Sequence, residues 1–131
     1  MPSNEAGPGG SRIGILVVED EAPFRELTER FLDQSGYRVF TAEDGVKGLE
    51  VYQAHQADIH LVLLDLILPR MSGLECLKQL KQANPNIKVL VMSGYSQTVS
   101  KKILLAEGMA DFLKKPFPLE QLLQMIQTTL K

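Results

Sequence analysis

Two apolar stretches of this chain end abruptly in carboxylates. IGILVV, residues 13–18, stops at Glu19, Asp20 and Glu21, and HLVLL, residues 60–64, runs straight into Asp65. A charge placed directly after such a run is costly near a core unless a site uses it. Two further apolar runs end in complementary groups: VLVM leads to Ser93, and ADFL to Lys114 and Lys115. Carboxylates brought together would repel one another and raise at least one pKa unless a cation neutralises them. Oxygen-only ligation by an incomplete set of carboxylates suits Mg²⁺, which keeps several waters and commonly bridges to a phosphate. A lysine and a hydroxyl at the same edge would give a transferring phosphoryl group positive charge and hydrogen-bond donors. In that company Asp65 is a candidate nucleophile as well as a ligand. A carboxylate needs no general base to attack phosphorus, and the acyl phosphate formed is energetic and reversible, which suits a switch.

Taken singly, each residue has an ordinary explanation. Glu19, Asp20 and Glu21 suit a solvated helix start, where negative charge is favourable. Ser93 before Gly94 is a common turn. Lys114 and Lys115 could be a solvated pair, and strand alternation lets at most one of them face a site. Phe112 alone belongs to a core. The chemical reading depends on the elements that would bring these positions together.

Those elements follow from periodicity. Residues 1–12, MPSNEAGPGGSR, have the composition of a flexible linker or tag remnant. From Ile13 onward, apolar runs alternate with segments of helical period. Phe24, Leu27, Thr28 and Phe31 are expected on one face of a first helix ending near Gly36. YRVFTA is a second strand, followed by a helix from about Asp44 to His55 with Val46, Leu49 and Tyr52 inward. HLVLL is a third strand. DLILPRMSG is a loop, and Leu74, Leu77 and Leu80 mark the helix after it. IKVLVM is a fourth strand; a helix through Val99 and Ile103 leads to a short strand, ADFL. A last helix, about Pro118 to Leu130, turns Leu119, Leu122, Ile126 and Leu130 inward.

Five strands alternating with five helices, the strands apolar on both faces, predict an α/β fold with a doubly wound parallel sheet. Right-handed crossovers favour the flavodoxin-like order 2-1-3-4-5. In such sheets ligands bind beyond the carboxyl ends of the strands, at the switch point. Glu19 with Asp20, Asp65, Ser93 and the lysine pair all occupy strand ends, so four segments should converge on one edge.

Composition narrows the classes. The chain's 131 residues suffice for one compact domain, 44% hydrophobic and 23% charged. A net charge of −2 offers no bulk attraction to nucleic acid or anionic lipid. No apolar run approaches bilayer-spanning length and residues 1–12 lack a signal-peptide core, so a cytoplasmic domain without membrane insertion is expected. The single cysteine, Cys76, has no partner for an internal disulfide and reads as core filler.

The motifs ILVVEDE, LVLLDLILPRMSGLE, VLVMSGY and DFLKKPF, in this order at successive strand ends, make residues 13–131 resemble the response-regulator receiver domain of two-component phosphorelay systems. The resemblance implies Asp65 as phosphoacceptor and Glu19 and Asp20 as the acidic pair near Mg²⁺. It adds the backbone carbonyl of Ile67 as a further metal ligand, Ser93 as the switch hydroxyl, Lys115 as the phosphate-contacting lysine and Phe112 as the switching aromatic. A cis Lys115–Pro116 peptide is common at that place in the family. The implied partner is a histidine kinase or histidine phosphotransfer domain. The implied output is a change in the face formed by the fourth helix, fifth strand and fifth helix, through which a homodimer is a further expectation. Such a domain labels itself without sustained turnover, and it would be the receiver of a hybrid histidine kinase or of a truncated response regulator.

The chain departs from the family pattern at several positions. Glu19 stands where aspartate is frequent. Ile67 offers no polar group to orient an attacking water, and Tyr95 is bulky, so slow self-dephosphorylation is expected. Phe112 leaves the switch without a hydroxyl. A phosphatase of the haloacid-dehalogenase type would need a second aspartate where Ile67 stands. A flavodoxin-like cofactor protein would need a phosphate-binding loop where EDEAP would repel the anion. A pseudo-receiver keeping the fold without the chemistry is disfavoured by the joint presence of Glu19, Asp20, Asp65, Ser93 and Lys115.

Overall fold

A computed structural model describes residues 12–94 and 99–131. Strands β1 (Gly14–Val18), β2 (Arg38–Ala42), β3 (Ile59–Asp65), β4 (Lys88–Ser93) and β5 (Asp111–Lys114) form one sheet in the order β2-β1-β3-β4-β5. Every pairing is parallel. Helices α1 (Ala22–Gln34), α2 (Gly45–Ala54), α3 (Gly73–Ala83), α4 (Lys101–Ala106) and α5 (Leu119–Leu130) connect them. The expected fold class and strand order are both observed. The proposed linker and Tyr95 lie outside the described residues, apart from Arg12.

The continuous apolar runs are explained by a sheet covered on both faces. Alternation along β1 and β3 sends Leu16, Val18, Val62 and Leu64 to one side, where they pack with Tyr52, Leu77, Leu80 and Leu104 of α2, α3 and α4. Ile15, Val17, Leu61 and Leu63 face the other side, against Leu32 of α1 and Leu122 and Ile126 of α5. Full burial of each such side chain contributes about 1.5–3 kcal/mol. Cys76 is buried in the first cluster, and burial pushes its thiol up to about 12, as inert core filler requires.

Two helix faces differ from expectation. In α1 the buried residues are Thr28 and Leu32, while Leu27 is 50% exposed. One residue turns a helix by about 100°, so Leu27 sits on the outer flank of a stripe centred on Thr28 and Leu32. In α4, Leu104 is the buried position and Ile103 is 49% exposed, for the same reason. Val99 precedes this helix and packs on the core from the loop. In α2 the deepest positions are Gly45, Gly48 and Tyr52, with Val46 and Leu49 only half-buried. A Cβ at Gly48 would lie 3.0 Å from Val18 Cγ2, so the helix approaches β1 too closely there for a side chain. The α1 stop is as read: Gly36 follows the cap with φ +102°.

Candidate functional site

β1 and β3 are neighbours, so their carboxyl ends deliver Glu19 and Asp65 to the same point of the sheet edge. Glu19 is fully buried, and its backbone N–H donates to Ala42 O at 3.0 Å, extending the β1–β2 pairing by one residue. Asp20 turns outward. Carboxylate oxygens of Glu19, Asp20 and Asp65 lie within 4.8 Å of one another. Asp20 and Asp65 line a cleft of about 450 Å³ together with residues including Ile67, Gly94, Lys115 and Pro116.

Lys115 comes from just beyond β5. Its Nζ lies 2.7 Å from Glu19 Oε1 and 3.2 Å from Asp65 Oδ2, and 4.7 Å over the ring of Phe24. Lys114 is exposed, so alternation selects Lys115 alone for the site. Asp65 is held at both oxygens, Oδ1 accepting from the Ile67 N–H at 3.1 Å and Oδ2 facing Lys115. Glu19 Oε2 accepts from the Glu21 N–H at 3.1 Å.

Burial pushes the Glu19 carboxyl up to about 7 against the opposing hydrogen bonds from Lys115 and Glu21, and the charge of Asp65 adds to the rise. The expected rise in a carboxylate pKa is therefore present, with desolvation rather than mutual repulsion as its main cause. Burial alone would lower the Lys115 pKa, but its hydrogen bond to Glu19 and the charges of Asp65 and Glu19 outweigh it and raise it. Lys115 accordingly stays cationic at neutral pH. Lys115 pairs with Glu19 and Asp65, and with Asp20 these carboxylates make an oxygen-only donor set. That donor set fits a hard divalent cation.

Ser93 is buried at the end of β4, and its Oγ has no hydrogen-bond partner among the described residues. Its carbonyl accepts from the Lys115 N–H at 2.8 Å, tying the two strand ends together. Phe112 is half-buried against the α2–α4 side of the core. The Lys115–Pro116 peptide is cis. Ile67 contributes its N–H to Asp65 and an exposed side chain to the cleft.

Two contributors were missed in the sequence. Phe24 was read as core, yet it also underlies the lysine. Asp44 was read only as a helix start; it caps α2 through Lys47 N–H at 2.8 Å, and its second oxygen meets Arg70 Nη1 at 3.2 Å. An aspartate before a helical run signals the cap, but no local pattern signals the ion pair.

The fold and site define a doubly wound α/β domain with an acidic, lysine-bridged cleft at its switch point. The family model described as response regulator receiver domain matches residues 15–127. The chain belongs to this family, the receiver domains of two-component signalling systems. It is 35% identical over 119 residues to the response regulator MprA of Mycobacterium sp. (strain KMS), covering 91% of this chain and 51% of that one. It is 34% identical over 117 residues to the sensor kinase CckA of Brucella abortus (strain 2308), covering 89% of this chain and 12% of the kinase. Thus it spans about half the length of the first relative and a small part of the second. A CheY-like response regulator receiver domain protein from Methanospirillum hungatei JF-1 superposes with a TM-score of 0.85 at 28% identity, covering 92% of this chain and 94% of that one. Among the described residues no helix is long and apolar enough to cross a membrane.

Proposed function

We propose that residues 13–131 act as a phosphoacceptor domain, with residues 1–12 as a linker, and that Asp65 takes a phosphoryl group from a phosphohistidine of a histidine kinase or histidine phosphotransfer domain. The carrying observation is the setting of Asp65. One oxygen is held by the Ile67 N–H and the other lies 3.2 Å from Lys115 Nζ, at a cleft that Asp20 also lines, and the buried Glu19 shares the same lysine. Attack by the carboxylate forms the O–P bond as the N–P bond to the donor imidazole breaks, and Lys115 offsets the phosphoryl charge. Glu19, Asp20, Asp65 and the Ile67 carbonyl would hold Mg²⁺, which when bound supplies charge neutralisation at the phosphoryl oxygens.

The Ser93 hydroxyl, without a partner among the described residues, supports a switch role, since a buried donor without an acceptor gains a hydrogen bond when a phosphoryl oxygen arrives. Its movement would let Phe112 shift inward, and the α4–β5–α5 face would change its population between two states. That face is the proposed site for partners or a homodimer, in a cytoplasmic domain with no nucleic-acid contact of its own. The two kinds of relative suit either a hybrid kinase or a response regulator as the parent arrangement. Incubation with acetyl phosphate and Mg²⁺ followed by intact mass should give one phosphate adduct, absent in Asp65→Asn. An adduct persisting in that variant, or no adduct on the parent chain, rules the reading out.

A further inference from the structure

Away from the lysine-bridged cluster, one other buried acid among the described residues has an ionic partner. Asp44 is 3% exposed, caps α2 with Oδ1 and meets Arg70 Nη1 with Oδ2. Arg70 lies 26 residues further on, in the loop joining β3 to α3, with its side chain 60% exposed. An isolated pair of surface charges contributes little. A buried carboxylate that loses its partner is costly, so Asp44 constrains where the Arg70 side chain can go.

The backbone at Arg70 needs such a constraint. Among the described residues it is the one non-glycine with positive φ, +68°. The Met71 N–H donates to Pro69 O at 2.7 Å, closing a three-residue turn across Arg70. A γ-turn with positive φ is rare and strained, and such strain persists only where the surroundings over-determine the chain. Two backbone contacts assist. The Gly73 N–H donates to Leu66 O at 2.9 Å, and Met71 packs on Gly45, where an added Cβ would lie 2.9 Å from Met71 Cβ. The loop closed in this way returns to Asp65, because its Ile67 N–H is the donor to Oδ1.

We propose that Asp44 and Arg70 are positioning residues for the phosphoacceptor. Their ion pair holds the turn at Arg70 and, through it, the Ile67 N–H on Asp65 Oδ1, which sets the carboxylate's rotation with Oδ2 toward Lys115. A carboxylate free to rotate spends less time aligned for in-line attack. The inference rests on Asp65 being the phosphoacceptor.

Three substitutions separate charge from backbone. Asp44→Asn keeps an N-cap acceptor and removes only the charge. Arg70→Gly removes the guanidinium while relieving the positive-φ penalty. Arg70→Lys retains the charge as a rescue. Labelling by acetyl phosphate with Mg²⁺ should slow about tenfold in D44N and in R70G, the scale of lost support behind a site's contacting groups. The double variant should be no slower than the slower single, as expected when both break one interaction, and R70K should recover part of the rate. Amide hydrogen exchange at Ile67 should accelerate in D44N and R70G while Leu16 and Val62 stay unchanged; a merely structural pair would move all three. Parent-like rates in both singles, multiplicative slowing in the double, or Ile67 exchange that moves only with the core overturns the proposal. Absence of label on the parent chain sinks the phosphoacceptor reading instead, and the clamp is then judged on Ile67 exchange alone.

Discussion

Removing the buried charge at Glu19 should flatten the domain's stability between acid and neutral pH. The Glu19 carboxyl is raised from 4.5 to about 7, chiefly by burial, so the folded chain holds this proton more tightly than the unfolded chain. For a raised pKa, the stabilisation is complete below the unfolded value and is lost as pH rises through the folded one. At 1.36 kcal/mol per unit the full loss is about 3 kcal/mol, most of it between about pH 5 and about pH 8. Glu19→Gln keeps the side-chain size and abolishes the titration. Urea unfolding of parent and E19Q at both pH values, with chelator present, isolates this group as a double difference. The parent should lose about 2–3 kcal/mol more than the variant over that interval. Lys115, raised from 10.5 in the parent, titrates there above the window. Parallel pH profiles would refute the claim that Glu19 is strained by burial. In the metal arm, Mg²⁺ should stabilise the parent more at the higher pH, because bound carboxylates must be deprotonated and a ligand for the folded state adds stability by mass action.

Three further outcomes follow from the packing. Leu32→Ala should cost about 2–5 kcal/mol in urea unfolding, whereas Leu27→Ala should stay within about 0.5 kcal/mol; equal losses would contradict the α1 face. Gly73→Ala should destabilise by about 1–3 kcal/mol, because its Cβ would lie 2.5 Å from both Asp65 O and Leu66 Cα, atoms of the backbone that cannot step aside. Ile67→Asn should shorten the lifetime of phosphorylated Asp65, followed by intact mass after removal of the donor, since it adds a polar group able to orient water at the rim of the cleft; an unchanged lifetime would discard the role given to Ile67.

The amphipathic faces show where pattern stops informing. Leu27 and Leu32 are equally apolar, and a periodic reading accepts either, because a stripe about 100° wide tolerates several phases. Which phase is buried depends on the direction from which the sheet meets α1. Gly48 is similar: the sequence permits a glycine in a helix but carries no sign that Val18 stands 3.0 Å from its missing Cβ. The central strands, by contrast, were readable, because a strand covered on both faces must be apolar along most of its length, as β1 is, and the sheet order followed from the preference for right-handed parallel crossovers.

The sequence by itself determined the alternation of strands and helices, the α/β class, and the set of strand-end residues, Glu19, Asp20, Asp65, Ser93 and Lys115, because periodicity and charge after an apolar run are local properties of the chain. Alternation narrowed the lysine pair to one member, and the family resemblance named it as Lys115. Only the tertiary structure decided that Lys115 bridges Glu19 and Asp65, that Glu19 is the carboxylate driven up by burial, that the Ser93 hydroxyl lacks a partner among the described residues, and that Asp44 reaches Arg70. These are relations between segments 26 to 96 residues apart or the product of full desolvation. Distance along the chain carries no information about them; the right-handed closure of the sheet does.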